Sequence, residues 1–236
     1  MAIIKEMTFV VKPLNNATLV QKEYKKIPFP LPQPASKACW VLLSRRRGGK
    51  TVMLTNLLAL YSKIPGMMCV VYSPSAFLDP NWKACSKMKN VMFSDRCDNE
   101  ILQNLMDVQK ARYMEDKNNQ LLLILDDFGN AFRSKSMRQM LDVIWTTARH
   151  CGCGTIASIQ SLTMMSSTQI TNTSQWCIWA CENRMLKKIT TELSTAQMEP
   201  KQLEALIKDV TKTPYNFVYI DYTQAKEEDV FHRNFE

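Results

Sequence analysis

The feature that most constrains the fold of this chain is a basic, glycine-containing loop between an apolar run and a helical segment. The apolar run CWVLLS passes into SRRRGGKT at residues 44–51, and KTVMLTNLLALYSK follows directly with helical spacing. The order strand, loop, helix is that of a P-loop, in which backbone N–H groups and a helix N-terminus surround a phosphate. A P-loop requires a parallel sheet to carry it, so the segment predicts an α/β fold.

The rest of the chain alternates short apolar runs with longer helical segments. Strands that are apolar on both faces and alternate with helices indicate a mostly parallel sheet covered on both sides. The sequence therefore predicts a P-loop NTPase fold with a central sheet flanked by helices. The predicted strands are CWVLLS, MCVVYS, NVMFS, LLLILDD, GTIASIQ, WCIWAC and NFVYID, and the predicted helices are KTVMLTNLLALYSK, NEILQNLMDVQKARYMED, SMRQMLDVIWTTARH, RMLKKITTELS and PKQLEALIKDV.

Length and composition favour one domain with a polyanionic partner. The chain has 236 residues and a net charge of +8, from 30 Lys and Arg against 22 Asp and Glu. A positive surplus suits phosphate contacts, because each contact releases counterions from the nucleic acid. We predict an N-terminal arm over residues 1–37, which is rich in proline, an ATPase domain over 38–223 and a tail over 224–236. No secretory signal and no apolar run long enough to span a membrane is evident, so we expect a protein that is not secreted.

The loop supplies the predicted nucleotide-binding residues. Lys50 is expected to reach the β- and γ-phosphates of ATP, and the Thr51 hydroxyl is expected to ligate Mg²⁺. Ser44 stands where the usual motif has its first glycine, which is a departure because serine is conformationally more restricted. The full predicted set for ATP is Ser44, Arg47, Gly48, Gly49, Lys50 and Thr51.

Two later strand ends supply the predicted catalytic residues. LLLILDDF places Asp126 and Asp127 after five aliphatic residues, which is the Walker B arrangement. We expect Asp126 to hold Mg²⁺ and Asp127 to orient or deprotonate the attacking water. Motor ATPases commonly have glutamate at the second position, so the shorter Asp127 is a further departure. Gln160 ends GTIASIQ, where an amide can sense the γ-phosphate and position water.

These segments together resemble a known superfamily. SRRRGGKT, LLLILDDF, TTARHCGCGTIASIQS and TQITNTSQWCIWACENR are similar to the FtsK–HerA superfamily, and most similar to the poxvirus-type genome-packaging ATPases of large and icosahedral DNA viruses. That branch typically has an arginine–histidine pair before the third motif strand, here Arg149 and His150, a glutamine at its end, here Gln160, and a later asparagine, here Asn172. The resemblance spans roughly residues 38–195.

The resemblance implies a RecA/FtsK-like fold and a ring of subunits, a pentamer or a hexamer, with ATP at each interface and double-stranded DNA in the channel. An arginine from the neighbouring subunit would stabilise the transferring phosphate, and Arg149, then Arg184, are the candidates. DNA would be contacted at its phosphates without base reading. A capsid or portal-type vertex would be a further partner, and the protein would act at sites of virus assembly in the host cytoplasm or nucleus, or within the virion.

Three other functions fit part of the pattern. A cellular HerA-like translocase would share the motifs, although such proteins usually carry extra domains. A small-molecule P-loop kinase would need a lid rich in arginine, whereas SLTMMSSTQITNTSQ after Gln160 contains none. An inactive nucleotide-binding scaffold is suggested by the departures at Ser44 and Asp127.

Overall fold

The computed structural model describes residues 38–235, apart from 128, 130, 131, 133, 197, 227 and 228. The predicted arm over residues 1–37 lies outside the described residues. The strands are β1 Cys39–Leu43, β2 Met67–Tyr72, β3 Val91–Ser94, β4 Gln120–Leu125, β5 Cys153–Ile159, β6 Gln175–Ile178, β7 Val218–Asp221 and β8 Phe231–Arg233. The α-helices are α1 Lys50–Tyr61, α2 Pro80–Cys85, α3 Asn99–Glu115, α4 Lys135–Thr147, α5 Ser167–Asn172, α6 Asn183–Leu193 and α7 Pro200–Val210.

All eight strands join in one sheet, in the order β3-β2-β4-β5-β1-β6-β7-β8. The pairs from β3 to β6 are parallel, and β7 and β8 are added antiparallel at one edge. The prediction of a mostly parallel α/β sheet in a single domain is confirmed. Because β4, β5 and β1 are adjacent and parallel, the segments that follow their carboxyl ends meet at one edge of the sheet.

The segment predicted as a C-terminal tail contributes β8 to the sheet. β8 pairs with β7 over three residues, and Phe235 beyond it is buried against Trp40, Phe217 and Tyr219. The sequence FHRNF has no regular alternation over so short a length, so the strand was not predicted. The sheet therefore extends beyond the predicted domain boundary at residue 223.

The core is divided between the two faces of the sheet. Alternate residues of β1 point to opposite sides, so Trp40 and Leu42 join one apolar cluster while Val41 and Leu43 join the other. On the first side α1 and α2 cover the sheet, and on the second side α3, α4, α6 and α7 do so. Of the helices in the described residues, none combines the length and apolarity needed to cross a lipid bilayer.

The turn between α1 and β2 depends on one glycine. Gly66 has a φ of 77°, and its carbonyl oxygen accepts a hydrogen bond from the Gln120 amide at the start of β4. A Cβ on Gly66 would overlap the backbone carbonyl oxygen of Asn118. Both the left-handed conformation and the close approach therefore require glycine.

We expect Gly66→Ala to lower the free energy of unfolding by more than about 1 kcal/mol, since alanine adds steric overlap and a disfavoured φ. Chemical denaturation of the variant and of Lys63→Ala, an exposed change in the same turn, measures the effect. Equal midpoints for Gly66→Ala and wild type would show that the turn relaxes without cost.

Candidate active site

The loop of residues 44–49 turns the chain from β1 into α1. Arg47 and Gly49 both have positive φ, 64° and 98°, and Gly49 is the N-cap residue of α1. A Cβ on Gly48 would overlap the Ser44 side chain, so the tight turn needs a glycine at 48. The loop thus has the glycines where its geometry requires them, and the N-terminus of α1 opens onto it.

Ser44 carries no backbone strain despite standing where a glycine is usual. Its φ is negative, and its amide donates to the Ile159 carbonyl at 3.2 Å, which continues the pairing of β1 with β5. The residue is buried, with its hydroxyl against Gly48. The departure noted in the sequence therefore leaves the shape of the loop intact.

Lys50 is buried inside the loop rather than extended into water. Its Nζ donates to the carbonyl oxygens of Ser44 at 2.6 Å and Arg45 at 3.0 Å, and the residue is 9% exposed. Burial lowers the pKa of the Lys50 ammonium, and the nearby charges of Asp126 and Asp127 oppose that shift. The loop therefore encloses the Lys50 ammonium, which lies near the Asp126 and Asp127 carboxylates. This position suits contact with the phosphates of a nucleotide.

Asp126 is the most constrained side chain of the site. Ser158 Oγ donates to its Oδ1 at 2.6 Å, and Trp82 Nε1 donates to its Oδ2 at 3.0 Å. Ser73 Oγ adds a longer bond of 3.4 Å to Oδ2. The residue is 3% exposed, and burial raises the pKa of its carboxyl, while the bonds from Ser158 and Trp82 act to lower the pKa. Three neighbouring elements thus hold one carboxylate in a single orientation.

Asp127 and Gln160 meet across the ends of β4 and β5. Gln160 Nε2 donates to Asp127 Oδ1 at 2.6 Å. The Asp127 backbone has a φ of 53°, and its amide donates to Ser158 Oγ at 3.2 Å. A positive φ is uncommon in residues other than glycine, and the residues that adopt it cluster at functional sites. The structure therefore brings together the two residues that the sequence predicts to handle the attacking water.

The donors around the loop fit a magnesium ion bound with a nucleotide. A hydroxyl at Thr51 and a carboxylate at Asp126 are oxygen ligands of the kind that Mg²⁺ prefers. Asp126 and Asp127 also place two negative charges beside the single positive charge of Lys50. The described residues contain no group of three or more His, Cys, Asp or Glu side chains that could hold a metal ion.

The structure separates the two candidate arginines. Arg149 is exposed in a 3₁₀ turn, Ala148–Cys151, just before β5, so it lies at the edge of the sheet opposite the loop. Arg184 is exposed in the first turn of α6, which follows β6, so it lies at the same edge as the loop. Glu182, two residues earlier, pairs with Arg45 of the loop at 3.1 Å. Arg149 and the loop of its own chain therefore lie at opposite edges of the sheet.

Two further motif residues lie away from the loop. His150 is exposed beside Arg149, and Asn172 is exposed at the end of α5, before β6 begins. Asn172 Nδ2 donates to the Thr168 carbonyl within its own helix. Both residues therefore precede their strands. They lie at the same edge of the sheet as Arg149, opposite the edge that carries Gln160.

The donors to Asp126 were not predicted from the sequence. Ser158 is a polar residue inside the apolar run GTIASIQ, and its even spacing from Gln160 is a signal that could have identified it. Trp82 belongs to the six-residue α2, which has no predicted helical pattern, and reaches Asp126 only through the tertiary fold. Ser73 directly follows β2, and its place at a strand end is the one signal that the sequence gives for it.

Known structures share this fold. The genome-packaging NTPase B204 from Sulfolobus turreted icosahedral virus 2, in complex with AMP, matches with a TM-score of 0.64 and 17% identity over 84% of this chain and 97% of that chain. Its complex with ATP-γ-S gives a TM-score of 0.61 with the same identity and coverage. The pCW3 conjugation coupling protein TcpA matches with a TM-score of 0.58 and 11% identity, over 78% of this chain and 57% of that chain.

A family model identifies the chain more closely than these distant structures do. No curated protein sequence matches it significantly. The model described as Poxvirus A32 protein matches residues 38–224, which is most of the chain and includes the loop, both aspartates and Gln160. With its glycine-containing loop, the paired aspartates that follow β4 and its mostly parallel sheet, the chain belongs to the Poxvirus A32 protein family.

Proposed function

We propose that this protein hydrolyses ATP to move double-stranded DNA into a preformed viral capsid. The observation that carries the proposal is the contact of Gln160 with Asp127 at the strand ends beside Lys50 and Asp126. This is the arrangement that hydrolysis requires, because it unites phosphate binding, metal binding and water positioning. The family match over residues 38–224 favours the packaging branch over a kinase or a cellular translocase.

Each residue has a role that follows from its position. Ser44, Arg47, Gly48 and Gly49 shape the loop whose amides face the phosphates. Lys50 would exchange its bonds to the loop carbonyls for bonds to phosphate oxygens.

The metal and water positions follow from the two aspartates. Thr51 and Asp126 would hold Mg²⁺, which when bound neutralises charge on the phosphates. Asp127 would accept a proton from the attacking water, or orient that water, with Gln160 fixing the carboxylate through the 2.6 Å bond.

The motor is proposed to act as a ring of five or six subunits. Arg149 lies at the edge of the sheet opposite its own loop, so a contribution to catalysis needs a neighbouring subunit. In ring ATPases such an arginine stabilises charge on the transferring phosphate. Arg184, at the same edge as the loop, is the second candidate.

The proposed partners are DNA and the capsid. A net charge of +8 suits contacts with DNA phosphates, which need no base reading. The Sulfolobus virus protein with the same fold is a genome-packaging NTPase, which supports a capsid or portal-type vertex as the place of action. The corresponding location is a site of virus assembly in the host cytoplasm or nucleus, or the virion itself.

We expect ATP hydrolysis to rise on addition of long double-stranded DNA, and Asp127→Asn to abolish both the basal and the stimulated rate. Asparagine keeps the size of the side chain but cannot accept the proton from water. Steady-state phosphate release, with Asp107→Asn as an exposed control on α3, measures the effect. An ATP hydrolysis rate that is independent of DNA and depends on a small phosphate acceptor would contradict the proposed DNA-moving activity.

We expect Ser158→Ala to reduce kcat at least about tenfold, because it removes the bond to Asp126 and leaves the Asp127 amide unpaired. Ser158→Thr should restore much of the rate, since it retains the hydroxyl. The exposed Ser86→Ala serves as control, and thermal denaturation of all three variants reports folding. A normal kcat in a folded Ser158→Ala protein would contradict the positioning role.

We expect mixtures of Arg149→Ala and Lys50→Ala subunits to hydrolyse ATP faster than either variant alone. In a mixed ring, an intact loop from an Arg149→Ala subunit can face the intact arginine of a Lys50→Ala neighbour. Titrating one inactive variant into the other and measuring the rate tests this. If the hydrolysis rate recovers with Arg184→Ala in place of Arg149→Ala, Arg184 is the arginine supplied by the neighbouring subunit. If the rate recovers with neither variant, neither residue has that role.

A further inference from the structure

The turn between α7 and β7 places an aromatic ring beside the phosphate loop. Tyr215 Cδ1 lies 3.7 Å from the position that a Cβ on Gly49 would occupy, and Trp179 Nε1 lies 3.9 Å from the same point. Tyr215 is 71% exposed, which is the highest exposure of any aromatic residue in the described part of the chain. A large apolar face is thus open to solvent next to the N-terminus of α1.

The backbone of Tyr215 is held in a disfavoured conformation. Its φ is 68°, which is unusual for a bulky residue that is neither asparagine nor glycine. Trp179 Nε1 donates to the Tyr215 carbonyl at 3.1 Å, and the Trp179 ring packs on Phe217 with centroids 4.9 Å apart. Because the Tyr215 ring is mostly exposed, burial in this chain does not offset the strain. Strained residues of this kind cluster at active sites and at loops that hold ligands.

Backbone hydrogen bonds hold the turn that carries Tyr215 on both sides. Trp179 directly follows β6, and its amide donates to the Leu43 carbonyl at 3.1 Å, next to the start of the phosphate loop. On the other side, the Asn216 amide donates to the Thr213 carbonyl at 3.2 Å, and Phe217 leads into β7. The position of Tyr215 is therefore tied to the same strand ends that carry the loop.

The phosphate loop can bind only the phosphate part of a nucleotide. Its amides and Lys50 bind phosphates, whereas the base is a flat aromatic group that must lie outside the loop, next to its rim. An exposed aromatic side chain on that rim offers stacking, which is favourable with any base. We propose that the Tyr215 ring stacks on the base of the nucleotide whose phosphates the loop binds. This inference rests on the nucleotide binding in the proposed function and does not depend on DNA translocation.

The test compares a ligand that has a base with one that has none. ADP and inorganic tripolyphosphate are titrated, with Mg²⁺, into the full-length wild type, Tyr215→Phe and Tyr215→Asn, and the dissociation constants are measured by calorimetry. Asparagine tolerates the positive φ and lacks the ring, so it preserves the turn while removing the stacking surface. Phenylalanine keeps the ring and serves as the matched control.

We expect Tyr215→Asn to weaken ADP binding about tenfold and to leave tripolyphosphate binding within about twofold of wild type. Tyr215→Phe should bind both ligands as wild type does. Equal weakening of both ligands would overturn the inference, because it would show that Tyr215 only shapes the loop, and unchanged ADP binding would overturn it as well. A wild type that binds neither ligand would refute the proposed function itself, whereas failure of DNA to stimulate hydrolysis would refute only the motor.

Discussion

The burial of the Asp126 carboxylate is the constraint on which the rest of the site depends. A carboxylate taken out of water loses several kcal/mol of hydration unless hydrogen-bond donors replace the water. Here the donors come from the end of β2, from α2 and from β5, so one side chain requires all three elements in place. The strand order β2-β4-β5 supplies that requirement, because β4 lies between the two strands that provide Ser73 and Ser158.

The same strand order explains how residues far apart in sequence form one site. Lys50 follows β1, Asp126 and Asp127 follow β4, and Gln160 follows β5, and these three strands are neighbours and parallel. Residues at the carboxyl ends of parallel strands are necessarily close. Conversely, Arg149 precedes its strand and is removed from the group by the full length of β5. Parallel pairing therefore places Lys50, Asp127 and Gln160 at one edge of the sheet and Arg149 at the other.

Much of the fold and part of the site could be predicted from the sequence. The apolar runs and the loop SRRRGGKT predict a mostly parallel sheet and put Lys50, Asp126, Asp127 and Gln160 at strand ends, because short-range pattern and strand polarity determine these features. The edge strand β8 is not predicted, since its three residues, two half-buried and one exposed, are too few to show a period. Trp82 and Tyr215 could not be predicted either, because each reaches the site through a turn or short helix whose direction only tertiary packing decides.

The hydrogen bonds to Asp126 also connect the chemistry to the surface of the protein. Two of its three donors, Ser73 and Trp82, begin and end one segment in which Phe77 and Leu78 are exposed. A force applied to that segment from outside cannot shift it as a unit without stretching or tilting both bonds. The Asp126 carboxylate is thus hydrogen-bonded to both ends of a segment whose middle is apolar and exposed to solvent. Any partner that displaced Phe77 and Leu78 would therefore act on the Asp126 carboxylate through the hydrogen bonds from Ser73 and Trp82.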